Sequence, residues 1–452
     1  MGAFLSSIAP YLFYVFGFVA LIVSLFKVEY GLMFLIPILP LQTLLDSMQK
    51  YPFGKDFVDI LLGAMLIGWF LRSMSKGGKF VKGNSVNAPI IIMIFYTLFS
   101  LYQGFDYLGY SAGFNFGDDR VQTWKNYILL PIIYFLTANN IKEKKHIRWF
   151  TYIMIFVMFV MSVKFFREYR WTDKSFYRDA MRQVGSFSYL GPNEYASFFS
   201  HYTFIIIGLL LCVKSKLKKL LFLLPIGFNF YAIIFLFSRG SYLAVLGASV
   251  LTGIVKKNIL ILAFIGILFA SWQTILPGSV VQRIENTKNE ETGELDLSNE
   301  KRIQVWNQSM DLFSGNPVTG IGFNTFPYLG FVLGDSHNLY VKILLEQGVI
   351  GLAIFFAIIG FAFMNGWKLF TKSKDDFFKG LGLGFCMCII SLLISNFFGD
   401  RWTYQPLGAY FWAFLGMVVA AQGIENSEKN GKRVNGTSVS RRKRLSEEND
   451  KN

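Results

Sequence analysis

Residues 220–255 are apolar almost throughout, and what interrupts them is the tetrapeptide Ser238-Arg239-Gly240-Ser241. As one helix the stretch would measure about 54 Å at roughly 1.5 Å per residue, nearly twice the roughly 30 Å of hydrocarbon in a bilayer. It must fold back as two spans with the turn at Arg239. Comparable apolar runs recur from residue 3 to residue 422, separated by short polar breaks. A composition that is 53% hydrophobic and 16% charged, with a mean hydropathy of +0.42, excludes a soluble globular domain and points to a polytopic membrane protein. The runs are continuously apolar rather than alternating at every second residue, so the spans are helices and not barrel strands.

The net charge of +15 is not a nucleic-acid footprint, because the cations form short clusters at the ends of apolar runs: Arg72 to Lys82, Lys142 to Arg148, Lys214 to Lys219, Lys256-Lys257 and Lys368 to Lys379. Cytoplasmic loops carry such an excess. Threading the chain between these clusters predicts an all-α bundle with spans near 10–26, 31–46, 57–71, 88–104, 124–138, 149–165, 194–213, 220–237, 240–255, 258–276, 339–364, 380–396 and 405–422. That is about 13 spans, or about 12 if the first two form a re-entrant or interfacial pair. The transmembrane domain then covers 1–422, with noncytoplasmic loops at 105–123, 166–193, 277–338 and 397–404, the third by far the longest. The tail 423–452, with Arg441-Arg442-Lys443-Arg444 among interspersed acids, reads as a disordered basic cytoplasmic segment that touches anionic lipid. The leading MGAFLSSIAP lacks the basic region of a cleavable signal, so the first span is expected to stay in place.

Few groups on the noncytoplasmic side can do chemistry. Cys212, Cys386 and Cys388 all lie within apolar runs, and the two side chains of C-x-C on a helix point about 200° apart, so neither a disulfide framework nor a thiol metal site is expected. The three histidines separate by topology. His146 falls in a cytoplasmic basic cluster, His201 inside a span, and His337 alone on the outer side, in GDSHNLYVKILLEQGVIGL at the mouth of the span starting near Leu339. A lone interfacial histidine can simply snorkel. The arginines change that balance.

Arg239, at a tight interhelical turn, would cost about 2.5–3.5 kcal/mol at the bilayer centre and so asks for an anion. Arg302, four residues before Trp306 in KRIQVWNQSM, and Arg182, before GSFSYLGPNEYASFF, emerge on the same side. Ile303, Trp306, Met310 and Phe313 in KRIQVWNQSMDLFSG predict an amphipathic helix on the membrane face, whereas the preceding PGSVVQRIENTKNEETGELDLSNE reads as a polar loop. Gly320 and Gly322 in PVTGIGFNTF read as turn residues. Guanidinium groups bind phosphate through two parallel hydrogen bonds and stay charged, so several converging at membrane level suit a diphosphate-bearing lipid.

Four stretches in this order, SRGSYLAVLG, the R-x-x-x-W of KRIQVWNQSM, NPVTGIGFNTF and SHNLYVKILLEQGVIGL, resemble the O-antigen ligase and polymerase superfamily of bacterial envelope glycosyltransferases over residues 182–360. The resemblance implies a GT-C-like, metal-independent enzyme without a cofactor, in the bacterial cytoplasmic (inner) membrane with its C-terminus in the cytoplasm. Such an enzyme moves a glycan from an undecaprenyl-diphosphate carrier to a hydroxyl of a glycolipid, glycan or protein acceptor on the periplasmic or outer face, as in lipopolysaccharide or surface-polysaccharide biosynthesis. Its partners are the lipid-linked donor, the acceptor and membrane lipids, and no nucleic acid. Carried over by motif, Arg239 and Arg302, with Arg182 beside them, hold the diphosphate, and His337 is the base on the acceptor hydroxyl. Asp400, Arg401 and Asn338 are candidates for binding the acceptor or orienting the histidine. The motifs do not separate a ligase from a polymerase; one long outer loop carrying both Arg302 and His337 favours the ligase. A flippase for lipid-linked sugar is the alternative of a different class, against which stand the lack of an inverted internal repeat and the placement of the charges at one face.

Overall fold

The computed structural model describes residues 2–75, 80–110, 117–185, 187–285 and 297–449, with side chains described apart from 2–9, 297–299 and 431–449. These residues form seventeen α-helices and no strand. The N-terminal part holds α1 (Gly2–Phe26), α2 (Val28–Ile38), α3 (Gln42–Met48), α4 (Phe57–Ser75), α5 (Asn87–Tyr107), α6 (Asp119–Asn140) and α7 (Lys144–Tyr169). Then come α8 (Pro192–Cys212), α9 (Lys216–Phe235), α10 (Arg239–Val255), α11 (Ile259–Ala270) and the short α12 (Trp272–Ile275). The long loop contributes α13 (Gly278–Glu285) and α14 (Leu297–Gly315), and α15 (Leu339–Lys372), α16 (Asp376–Ser395) and α17 (Gln405–Asn449) complete the chain.

Eight helices, α4, α5, α7, α8, α9, α15, α16 and α17, are long and apolar enough to cross a membrane. The all-α polytopic class therefore holds, with fewer full-length spans than expected. The stretch read as a span at 31–46 is broken: α2 and α3 bend by 112°, with Pro40, which has no N–H to continue a helix, at the break. Residues 10–26, α10 and α11 are apolar but short. α6 has 22 residues, yet Lys125, Asn126, Asn139 and Asn140 make it polar, and it lies against α17 rather than lipid alone. The tail expected to be disordered continues α17 as far as Asn449, and beyond Asn430 its side chains lie outside the described residues.

Local chemistry sets the helix ends. Pro192 opens α8 at a position where a missing N–H costs nothing, Asn258 caps α11 through the Leu260 and Ile261 amides, and Asp375 caps α16 through Phe377 at 2.9 Å. The core forms around α8, α16 and α17, where Phe198, Phe199, Tyr202, Tyr410 and Trp412 are buried. Lipid tails are as apolar as leucine, so these helices associate by close packing instead: Gly208 of α8 meets Gly380 and Gly384 of α16. Phe95 and Phe99 on α5, and Leu220 and Leu224 on α9, face outward.

α15 is two helices joined at Gly348, whose φ of 63° and ψ of −166° belong to a region that glycine alone occupies readily. A Cβ there would lie 2.2 Å from the Val318 carbonyl oxygen. The break strands backbone groups that a membrane interior cannot hydrate. The segment 317–322 runs beside it and takes them up. Ile321 N–H donates to the Leu345 carbonyl at 2.9 Å, Gly322 N–H to Glu346 at 2.8 Å, and Val349 N–H donates back to Pro317 at 3.0 Å. The Tyr96 hydroxyl donates to the Gln347 carbonyl at 2.7 Å. Gly322, at φ 116°, lets this strip touch α5, where a Cβ would sit 2.1 Å from the Gly104 Cα. The G-x-G read as a turn is thus a backbone splint for a broken helix.

Candidate functional site

Where α8, α10, α13 and α14 meet the loop after α16, a cavity of about 650 Å³ opens, lined by Arg182, Arg239, Arg283, Arg302 and Arg401. Its lower wall is apolar, with Leu243 and Leu246 of α10, Phe269 of α11 and Trp272 of α12. Among the described residues lining it there is no carboxylate. The structure brings together the three arginines expected to hold the diphosphate, Arg401, which was expected to serve the acceptor or the histidine, and one that was not expected, Arg283.

Each arginine arrives by a different route. Arg239 is the first residue of α10, behind Phe237, which takes a left-handed φ of 53° to turn the chain. Arg182 follows a single 3-10 turn and donates to Asn193 Oδ1 at 2.7 Å, near the start of α8. Arg302 projects from α14. Arg283 comes from α13, over the ring of Tyr177 at 4.9 Å, and Arg401 pairs with Glu194 of α8. The Nε atoms of Arg182, Arg283, Arg302 and Arg401 are buried without a hydrogen-bond partner among the described residues. Burial and the neighbouring guanidinium charges push Arg182 and Arg302 below the ordinary arginine range. Such crowding of like charge is costly unless an anion is shared between them.

His337 does not line this cavity, but it lies near enough for the charges of Arg302 and Arg401 to act on it. Its backbone φ is 50°, a left-handed conformation costing about 1–3 kcal/mol for a non-glycine residue, so its surroundings must hold it there. The neighbouring segment supplies the hold. Trp306 Nε1 donates to the Ser336 carbonyl at 2.7 Å, and the Ser336 hydroxyl donates to the Asn338 carbonyl at 2.8 Å. Asn338 Oδ1 caps α15 by accepting from Tyr340 N–H at 3.0 Å and Val341 N–H at 3.3 Å. Arg302 and Trp306 are four residues apart, hence on one face of α14. One turn of helix thus serves both the cavity and the histidine. His337 Nδ1 lies 3.7 Å from Asp335 Oδ2. Burial holds the imidazole below its ordinary pKa of 6.5, opposed by the carboxylates of Asp335 and Glu194 and helped by the charges of Arg302 and Arg401. It is therefore neutral, and able to accept a proton, at physiological pH.

The remaining predicted residues fall into different places. Asn338 spends its side-chain oxygen on the helix cap. Asp400, 2% exposed, faces Lys342 at 3.0 Å and accepts from the Thr403 hydroxyl at 2.6 Å; although burial opposes it, these partners hold its carboxyl below the ordinary range. Arg401 belongs to the arginine cavity.

Two contributors escaped sequence reading. Arg283 lies in a stretch taken for polar loop, which folds as α13 because Val280 packs into the core, leaving Arg283 three residues on. Arg120, only 2% exposed, donates to the Phe323 carbonyl at 3.1 Å and lies over the Phe105 ring at 4.4 Å, pinning the splint segment. In sequence it lies on an outer loop with no partner in view. α14 also buries a different stripe from the one expected. Val305 and Ser309 turn inward, with Val305 against Ile321, Phe326 and Leu345, while Ile303 stays exposed. The polar stretch 286–296 lies outside the described residues.

A multi-pass helical membrane protein with a cationic cavity, an apolar wall and a neutral histidine at one end of the bundle has the makings of a site for an amphiphilic anion. Comparison with known families is specific: residues 220–356 match the family model described as O-antigen ligase, so the resemblance to that superfamily holds over this segment. The match includes Arg239, Arg283, Arg302, the splint at 317–322 and His337, and leaves Arg182, Asp400 and Arg401 outside it. Over residues 220–356, about a third of the chain, the protein is similar to the O-antigen ligase family. No curated protein matches the chain.

Proposed function

We propose that the protein transfers a glycan from undecaprenyl diphosphate to an acceptor hydroxyl at the outer face of a bacterial cytoplasmic membrane. The observation that carries this reading is the convergence of five arginines, four with unpartnered buried Nε atoms, on one cavity with an apolar wall, two of them close enough to act electrostatically on a neutral histidine. The guanidinium groups take the diphosphate, and the wall along α10 and α11 takes the first isoprene units. The orientation rests on charge. α8, α10 and α15 all begin at the cavity end and run toward Lys214–Lys219, Lys256-Lys257 and Lys372–Lys379, the excess expected in the cytoplasm.

In the reaction, His337 accepts the proton of the acceptor hydroxyl as its oxygen bonds to the anomeric carbon. The bond from that carbon to the diphosphate oxygen breaks, and the electron pair leaves with the diphosphate. The arginines stabilise the charge that builds there. General-base assistance of this kind contributes about 10²–10⁴-fold. A ligase acting on a surface-glycan acceptor is favoured over a polymerase because a single long outer loop, 277–338, carries Arg283, Arg302 and His337 together.

Purified protein in proteoliposomes, given undecaprenyl-diphosphate-linked oligosaccharide and separate candidate acceptors, tests this. A capped acceptor indicates a ligase and a ladder of repeats a polymerase. His337→Ala should reduce transfer by about 10²-fold or more while donor binding persists. Transfer at the wild-type rate in that variant would show that His337 is not the base.

A further inference from the structure

A second cavity, of about 340 Å³, lies between α5, α6, α15 and the start of α17. Through Lys342, Thr403 and Tyr404 it continues into a smaller one of about 160 Å³ that reaches Asp335 and Asp400. Neither shares a lining residue with the arginine cavity. His337 stands at the boundary. Asp335, 3.7 Å from its ring, and Leu339, two residues on, line these cavities, while Trp306, one turn from Arg302, holds the preceding residue. Asp400 and Arg401, adjacent in sequence, face the two compartments separately.

The chemistry of the second cavity is opposite to that of the first. No arginine lines it among the described residues. Its one ammonium, Lys342, is held by Asp400 at 3.0 Å, and the Glu346 carboxylate accepts the Phe326 N–H at 3.1 Å, so no cation is left over for a phosphate. What it does offer is a set of neutral hydrogen-bonding groups. Among the described residues the side chains of Asn126, Asn324, Gln347 and Gln405 have no hydrogen-bond partner. Trp402, Tyr127 and Tyr404 add broad ring surfaces. Carboxamides, each with a donor and an acceptor end, match vicinal hydroxyls, and aromatic faces match the apolar face of a pyranose ring. The volume admits one or two sugar rings and is small for a lipid.

We propose that this cavity binds the terminal sugar of the acceptor, an uncharged hydroxyl-rich pyranose that presents one hydroxyl to His337. The inference rests on the glycan-transfer reading above. It adds where the acceptor sits and that its reacting sugar carries no phosphate. Donor and acceptor then approach His337 from two sides, each in a compartment of its own electrostatic character.

The test uses the full chain in lipid nanodiscs and soluble probes: the methyl β-glycosides of glucose, galactose and N-acetylglucosamine, observed by saturation-transfer NMR. At least one glycoside should bind saturably. Its affinity should fall about tenfold in Asn126→Leu and in Gln405→Leu, whose positions are exposed enough to tolerate the change, and remain in Arg302→Gln. Glucose 6-phosphate should not displace it. Absence of binding by all three glycosides, binding lost in Arg302→Gln but kept in Asn126→Leu, or full displacement by glucose 6-phosphate would each overturn the proposal. The two readings fail separately. Saturable glycoside binding without transfer from the lipid-linked donor refutes the transferase assignment alone, and normal transfer without glycoside binding refutes this site alone.

Discussion

Replacing Trp306 by Phe keeps a ring on α14 and removes the indole Nε1 that donates to the Ser336 carbonyl at 2.7 Å. Ser336 is fully buried, so that carbonyl has no ready substitute partner. Leaving a buried acceptor unpaired costs about 1–3 kcal/mol, more than the roughly 0.5–1.5 kcal/mol net worth of an ordinary hydrogen bond. The left-handed backbone of His337 costs about the same, 1–3 kcal/mol, so the lost tether is comparable to the strain it restrains. With the tether gone, His337 relaxes toward ordinary backbone angles and its ring leaves the reactive orientation for much of the time. At about 1.4 kcal/mol per factor of ten, kcat should fall roughly 5- to 150-fold. Arg302 is untouched, so donor affinity should stay within about twofold of wild type. Steady-state transfer in proteoliposomes gives kcat, and equilibrium binding of undecaprenyl diphosphate gives the donor affinity. An unchanged kcat, or an equal loss in donor affinity, would refute the idea that Trp306 acts by positioning His337.

Other outcomes follow from the same geometry. His337 must be unprotonated to act, and its pKa is lowered, so kcat/KM should hold from neutrality down past pH 6.5 and decline only in more acidic solution as the ring charges. Asp335→Asn removes an anion that favours the charged ring and should move that acidic limb to still lower pH; a shift upward would contradict the assignment. Gly348→Ala places a Cβ 2.2 Å from a backbone oxygen in a region nearly reserved for glycine, so the detergent-solubilised protein should lose about 3 kcal/mol or more of stability, read as a large drop in melting midpoint. An unchanged midpoint would mean the helix break is not held by the splint.

What could be read from the sequence was what is local. Spans announce themselves because each must be apolar along its own length. Arg239 stood out because a 36-residue apolar run has to turn somewhere. Arg302 and Trp306 were visible because their spacing fixes them on one helix face, and His337 because topology left it alone on its side. The splint was not legible: Gly320 and Gly322 acquire their role only when Gly348, more than twenty residues later, breaks α15 beside them. Arg283 was obscured for the same reason, since it sits in no unusual local pattern and reaches the cavity through tertiary packing, whereas Arg401 was visible as a candidate but not as a member of the arginine cavity. Hydropathy marks spans least clearly where helices face protein instead of lipid. α6 can carry Asn139 and Asn140 because other parts of the chain cover them, each side chain also bonding back to its own helix at 2.7 and 2.9 Å.

The splint has a further consequence. Because the strip 317–322 is bonded to both halves of α15 and lies against α5, the first turns of α15 cannot swing without breaking several unhydrated backbone bonds at once. The floor beneath His337 is in effect a fixed anvil. Long, flexible substrates must then bring their ends to the histidine, and the histidine does not travel to meet them. On the proposed glycan-transfer reading, a site built this way would meet only the sugars at the junction and not the length of glycan behind them, so chains of very different sizes could be handled at one setting.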